Sequence, residues 1–263
     1  MLKQKIVIKS LLVLSILTAV TVADEIKNDD TTIAVEKMKS LSTGEKYIGE
    51  LVDGKLNGKG VLINKRGSRL EGNFKDGKLD GKGLVTNGTG KMEGDFKDGK
   101  LDGKGLILFP DGMRIEGEFK DGKLHGTGFV LGDGLRLEGY FKDGDLNGKG
   151  TITIDKFGIV YEGDVIKNNP NGKGSLTMLD GTKMEGGFKG KFFLDGKGVL
   201  TFPNGLILQG SFKVGLPVGK GLIQFPNGKV DSGKWIDGKF SNGSEDGLYE
   251  DVFNKIKKII EKL

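Results

Sequence analysis

The sequence predicts an all-β protein: an elongated antiparallel sheet of stacked β-hairpins in about eight and a half repeats, with an N-terminal signal peptide and a C-terminal amphipathic capping helix. Three observations predict it. A glycine-bearing unit recurs every 22 to 24 residues over most of the 263-residue chain. Inside each unit apolar and polar residues alternate as on a strand, and Asp-Gly or Asn-Gly pairs interrupt the alternation. Glycine numbers 47, about one residue in six against a usual share of ~7%. These glycines follow no three-residue period and come with only 5 prolines, which excludes collagen-like and proline-rich disordered chains.

The N-terminus reads as an export signal over residues 1–23. Lys3, Lys5 and Lys9 precede an uncharged apolar run, Ser10–Ala23, and Thr21-Val22-Ala23 place tolerated residues before a cleavage point between Ala23 and Asp24. The run has 14 residues, short of the ~20 that a spanning helix needs. An uncleaved signal acting as an inner-membrane anchor is the alternative. The expected destination is periplasmic, secreted or cell-surface. Cysteine is absent, so stability must come from packing without disulfides. Removing the signal leaves 38 basic and 36 acidic residues, a balance that argues against a nucleic-acid partner.

Residues 24–45 are polar and read first as a spacer, with a short helix capped by Thr31 or Thr32 and running to about Leu41 as the alternative. The repeat array follows over 46–240. In RLEGNFKDG, Leu70, Gly72 and Phe74 share one face while Glu71, Asn73 and Lys75 share the other. Ten turn pairs, from Asp76-Gly77 to Asp237-Gly238, suit the positive φ of tight hairpins. The second half of each unit carries GKG. The glycines Gly72, Gly81, Gly83, Gly94, Gly103, Gly105, Gly117, Gly139, Gly186 and Gly210 would weaken a sheet unless something covers them. The aromatic row Phe74, Phe96, Phe119, Phe141, Phe188, Phe212 and Trp235 supplies flat rings to lie across neighbouring glycine backbone.

The unit Y-x-G-x-[FW]-x-D-G-x-x-x-G-x-G-x-L, carried by LEGNFKDGKLDGKG at Leu70–Gly83 and its counterparts through Gly221, resembles the MORN (membrane occupation and recognition nexus) repeat. The resemblance covers about three quarters of the chain. Departures are mild: the leading tyrosine survives at Tyr47 and Tyr161, and Val165 replaces the aromatic of the sixth unit, where the turn is also altered. The resemblance implies stacked hairpins in a twisted sheet that contacts proteins or lipids, with chemistry left to separate domains.

The tail over 241–263 follows the array. Leu248, Val252, Ile256, Ile259, Ile260 and Leu263 share one helical face, with acids early and lysines late. A cap over the last hairpin is the leading reading, and a partner- or membrane-binding helix the other. The open edges of such a sheet also invite self-association.

Catalytic, cofactor and metal sites are not expected. The lone histidine, His125, occupies what reads as a turn position filled by Asp80, Asp102 and Asn147 in sibling units, and a solitary histidine makes a poor acid–base site. The row Glu71, Glu93, Glu116, Glu138, Glu162 and Glu185 reads as a structural ladder paired with lysines such as Lys75, Lys97 and Lys120. Calcium is disfavoured by the lysines in every candidate loop. The lysine row Lys82, Lys104, Lys149, Lys173, Lys197 and Lys220 offers an anionic lipid surface something to meet, but interleaved acids favour a solvated face. The expected function is a non-enzymatic exported scaffold for protein contacts at the cell envelope or surface, with a protein partner of unknown identity. The alternative is a peripheral module on an anionic membrane, with enzymatic or calcium-binding roles less supported.

Overall fold

The computed structural model describes residues 39–42, 44–236, 239–241, 254 and 256–258. Among them are nineteen strands, one 3-10 turn at Asp155–Phe157, and a short helical stretch at Asn254 and residues 256–258. The chain divides into two compact units: Met1–Asp133 with Phe141–Gly144, and Gly134–Tyr140 with Asp145–Leu263. Each is an antiparallel meander in which successive strands pair with one another.

One hairpin of the first unit shows the construction. Strand Arg69–Lys75 pairs with Lys78–Asn87, and Lys75 opposite Lys78 closes a two-residue turn. Asp76 and Gly77 both have positive φ, 49° and 86°, the type I′ conformation whose twist matches that of the strands. The same pairing of signs recurs at Asp53-Gly54, Asp98-Gly99, Asp121-Gly122, Asp133-Gly134 and Asp143-Gly144.

Asp111-Gly112, Asp180-Gly181, Asn204-Gly205 and Asn227-Gly228 depart from the expected tight turn. At the first of these the Phe109 N–H donates to Met113 O at 2.9 Å and the Gly112 N–H to Phe109 O at 3.0 Å, and only the glycine has positive φ. The preceding Pro110 fixes a negative φ suited to the first inner position of a type I turn, and the Asp111 side chain accepts the Met113 N–H at 3.1 Å. Pro203 and Pro226 do the same before Asn204 and Asn227. Asp237-Gly238 lies outside the described residues.

The GKG strands are not plain strands. Gly72 pairs with Gly83, yet Phe74 pairs with Leu79, so Lys78–Asn87 carries two surplus residues in a β-bulge. Gly81 sits inside it at φ 104°. Gly72 is needed for a different reason. A Cβ there would strike the Lys82 carbonyl oxygen and stand 2.6 Å from Gly83 Cα, because two backbones cross without side chains between them.

The core lies on the face shared by Leu70, Gly72 and Phe74, and the other aromatics of the row, through Trp235, are buried with Phe74. Rings do approach glycines. A Cβ on Gly83 would meet Phe96 at 3.0 Å, and one on Gly105 would meet Phe119 at 3.1 Å. A second row also covers this backbone, with Leu79 3.3 Å from the Gly83 position and Leu146 2.9 Å from that of Gly150. Leu56, Leu79, Leu101, Leu124, Leu146 and Leu194 are all buried, each next to the turn on the strand that leaves it. In the two repeats that keep the leading tyrosine, its ring fills the same space, between Gly49 and Gly60 for Tyr47 and between Gly163 and Gly174 for Tyr161.

At the N-terminal side, Lys39–Ser40 is extended and pairs with Tyr47 and Lys46, so the helix expected to reach Leu41 does not include these residues. The Leu41 N–H donates to Glu45 O and the Gly44 N–H to Leu41 O, which turns the chain back into a hairpin. Ile256 is buried within the C-terminal helical stretch. Leu248, Val252, Ile259, Ile260 and Leu263 lie outside the described residues, as do Ala23 and Asp24.

Candidate interaction surface

The face opposite the core is built from rows that run across the strands. In the first unit one row alternates Val61, Glu71, Leu84, Glu93, Leu106, Glu116 and Phe129, each directly opposite the next. The apolar members are half-buried. Each glutamate is held by a basic residue two positions earlier on its own strand: Arg69 to Glu71 at 2.8 Å, Lys91 to Glu93 at 2.8 Å, and Arg114 to Glu116. Arg136–Glu138 and Lys183–Glu185 continue the pattern at 2.8 and 2.9 Å in the second unit.

The expected partners Lys75, Lys97 and Lys120 are therefore replaced by nearer ones. Residues two apart on a strand stand about 7 Å apart on one face, and residues four apart about 13 Å. Exposed pairs of this kind contribute about 0–1 kcal/mol each, so they set the surface pattern more than the stability.

A second row carries the lysines and a set of carboxylates that act as staples. Lys82 is opposite Asp95, with Nζ 2.7 Å from Oδ1, and Asp95 Oδ2 also accepts the N–H of Lys104 on the following strand at 3.2 Å. Asp164 repeats this in the second unit, with Lys149 Nζ at 2.7 Å and the Lys173 N–H at 2.9 Å. Glu118 accepts the N–H of Thr127 at 3.4 Å. Hydrogen bonding from Lys82, then the nearby charge and the Lys104 N–H, holds the Asp95 carboxyl below its ordinary range. Lys149 and then the Lys173 N–H do the same for Asp164. The N–H in each staple belongs to the bulge, so the carboxylate covers backbone that the bulge withdraws from the ladder.

Acids thus interleave with lysines as expected over residues 46–164, which hold twenty of each sign. Residues 165–236 differ, with ten lysines against four acids. The positions equivalent to Asp95 and Asp164 become Gly187 opposite Lys173, Ser211 opposite Lys197, and Lys234 opposite Lys220. Sequence reasoning missed this change because it compared lysines with neighbours along the chain, whereas the compensating acid lies across the ladder.

His125 lies in strand Lys123–Gly132, not in a turn. Its siblings Asp80 and Asp102 accept the N–H of Asp98 and Asp121, the first residues of the next type I′ turns, at 3.4 and 3.1 Å. His125 faces the equivalent turn with Nδ1 3.7 Å from Asp143 Oδ1. Among the described residues no group of three or more His, Asp or Glu is arranged to hold a metal ion, and no helix is long and apolar enough to cross a membrane.

The family model of the MORN repeat matches residues 47–69, 71–92, 93–114, 116–131, 138–155, 161–183, 193–207 and 209–230. The chain belongs to the MORN repeat family. The matched units fall on the repeat strands described above, and the family is consistent with a scaffold for protein or membrane contacts, not a known enzyme fold. Comparison with curated proteins gives no match. Among solved structures the chain is similar to the SAS-4 (dCPAP) TCP domain of Drosophila melanogaster, in complex with a proline-rich motif of Ana2 (dSTIL). The two are 12% identical with a TM-score of 0.22, over 81% of this chain and 97% of that one, a likeness on which no functional statement about these MORN repeats rests.

Proposed function

We propose that the chain is a non-enzymatic scaffold, exported to the cell envelope or surface, whose repeat sheet contacts another protein. The observation that carries this reading is the outward face of the first unit. Leu84, Leu106 and Phe129 form half-buried apolar ribs at every second strand, separated by glutamates already held by their own Arg or Lys. Such a surface is pre-organised: its charges need no new partner, and its ribs gain from burial against a complementary apolar face. Export rests on the basic start and apolar run of residues 1–23.

Photo-crosslinking from a benzoyl-phenylalanine placed at position 84 or 106 in intact cells tests it. The expected result is a discrete adduct with an envelope or surface protein. Absence of any adduct from both positions, or adducts only with cytosolic proteins, overturns it.

A second reading, a peripheral module on an anionic membrane, is favoured by the lysine excess over residues 165–236. Salt-sensitive co-sedimentation with phosphatidylserine vesicles supports that reading, and binding equal to that on neutral vesicles removes it.

A further inference from the structure

The staples made by Asp95 and Asp164 define what the sheet does with a carboxylate at this position. One oxygen meets an ammonium from the preceding GKG strand, and the other receives a bulge N–H from the following one. The ammonium and the bulge persist in the last repeats, while the carboxylate is gone.

Lys173 stands opposite Gly187, and the bulge on the far side of Gly187 belongs to Lys197. Lys197 stands opposite Ser211, and the next bulge belongs to Lys220. The space is open. A Cβ on Gly103 or Gly172 would run into the Asp95 or Asp164 side chain at 2.9 and 2.8 Å, but one on the equivalent Gly219 would meet nothing within 4 Å. Lys173, Lys197, Lys220 and Lys234 are exposed.

We propose that Gly187 and Ser211 mark two vacant carboxylate seats that receive the acidic side chains of an extended polypeptide segment of a partner protein. The proposal rests on reading the repeat sheet as a protein-contact surface, and it names the chemistry of what binds the second unit. Each seat combines an ammonium with a backbone N–H, so it selects a carboxylate that reaches the sheet surface over a diffuse negative field. The two seats lie two strands apart, about 10 Å, which an extended chain in the polyproline II conformation spans in three residues, about one turn, with both acids on the same side. Lys234, opposite Lys220, continues the row by one more ammonium. A planar anionic surface fits less well, because Glu185 and Asp195 share this face on the strands that carry Gly187 and Lys197.

The test uses the full chain and two fluorescein-labelled peptides, (Glu-Ser-Ser)6 and (Gln-Ser-Ser)6, in fluorescence anisotropy at low salt. The Glu peptide is expected to bind roughly tenfold or more tighter than the Gln peptide. Ser211→Asp fills its seat from within and is expected to weaken Glu-peptide binding by roughly tenfold, with a melting temperature equal to or above that of the parent chain. Lys197→Gln, an exposed change that removes the ammonium of the Ser211 seat and keeps the backbone N–H of the Gly187 seat, is expected to weaken it similarly without altering the fold.

Equal affinity for the two peptides overturns the proposal, as does undiminished binding by both Ser211→Asp and Lys197→Gln. Binding to phosphatidylserine vesicles with none to the Glu peptide also overturns it, in favour of a membrane. Failure here with crosslinks from position 84 or 106 intact removes the seats and leaves the scaffold standing. Loss of those crosslinks, with the peptide results as expected, removes the scaffold reading of the first unit alone.

Discussion

The N–H of Gly77 donates to the carbonyl oxygen of Leu56, 3.0 Å away and one repeat earlier in the chain. Gly99 does the same to Leu79, Gly122 to Leu101 and Gly144 to Leu124, at 2.8 to 2.9 Å. Each of these four type I′ turns is thereby bonded to the leucine of the preceding hairpin, and that leucine's side chain lies in the core. Backbone ladder, turn ladder and leucine row are three views of one contact between repeats.

Leu101 is 3% exposed and packs against the backbone at Gly105. Leu101→Ala is expected to cost about 2–5 kcal/mol in urea denaturation, the range for truncating a buried leucine. A loss below about 1 kcal/mol would show that the aromatic row alone closes the core.

Two kinds of glycine give two expected magnitudes. Gly99 has φ 81°, and a Cβ there meets nothing closer than Lys78 at 3.8 Å, so Gly99→Ala costs only the left-handed conformation, about 1–2 kcal/mol. Gly94→Ala drives a Cβ into the Lys104 carbonyl and to 2.6 Å from Gly105 Cα, both of them backbone. That variant is expected to lose more than about 4 kcal/mol or to fail to fold, since the strands must separate. Thermal unfolding followed by circular dichroism orders the two, and a reversed order refutes the backbone-crossing account of Gly72 and Gly94.

The period, the tight turns and the apolar face were legible in the sequence because each follows from local chemistry repeated in register. The bulge was not. Its surplus is two residues, and a strand alternates with period two, so Leu79, Gly83 and Val85 stay on one face and the pattern reads as unbroken. Leu79 and its siblings were hidden for a related reason, since they follow KDGK so closely that they read as part of the turn. The glutamate partners were within reach: Arg69, Lys91, Arg114, Arg136 and Lys183 each stand two residues ahead of a glutamate. The staples and the vacant seats needed the cross-strand register, because Lys82 and Asp95 are 13 residues apart and meet only through the pairing of their strands.

Asp164 is held below the ordinary carboxylate range by Lys149 and by the Lys173 N–H. A depressed native pKa means that the stabilisation is complete above the unfolded value, near pH 4, and is lost as pH falls through the native value. Asp164→Asn is therefore expected to be less stable than the parent chain at pH 6, with the gap closing as pH drops below about 4. Acid titration of both proteins in fixed urea checks it. A gap that persists unchanged to about pH 2 would assign the loss to packing and not to the ion pair.

Tyr161 carries the opposite sign. Burial first, and then the nearby Asp164 charge, pushes its phenol up to about 12, and its hydroxyl donates to Asp164 O at 2.7 Å. Tyr47 is raised for the same reasons, with Glu50 as the charge. A raised native pKa means that the stabilisation is complete below the unfolded value of about 10 and is lost as pH rises through the native one, because the folded state holds the proton longer. Tyr161→Phe gives up one buried hydrogen bond, so it is expected to be about 0.5–1.5 kcal/mol less stable at neutral pH. Between about pH 10 and 12 the parent chain should lose stability relative to this variant, because only the parent has a phenol there to ionise on unfolding. Ultraviolet titration of the native protein gives an independent reading, with tyrosinate absorbance from Tyr161 appearing late. If all the tyrosines ionise together near pH 10 while the chain is still folded, Tyr161 is open to water and the packing between Gly163 and Gly174 is not as described.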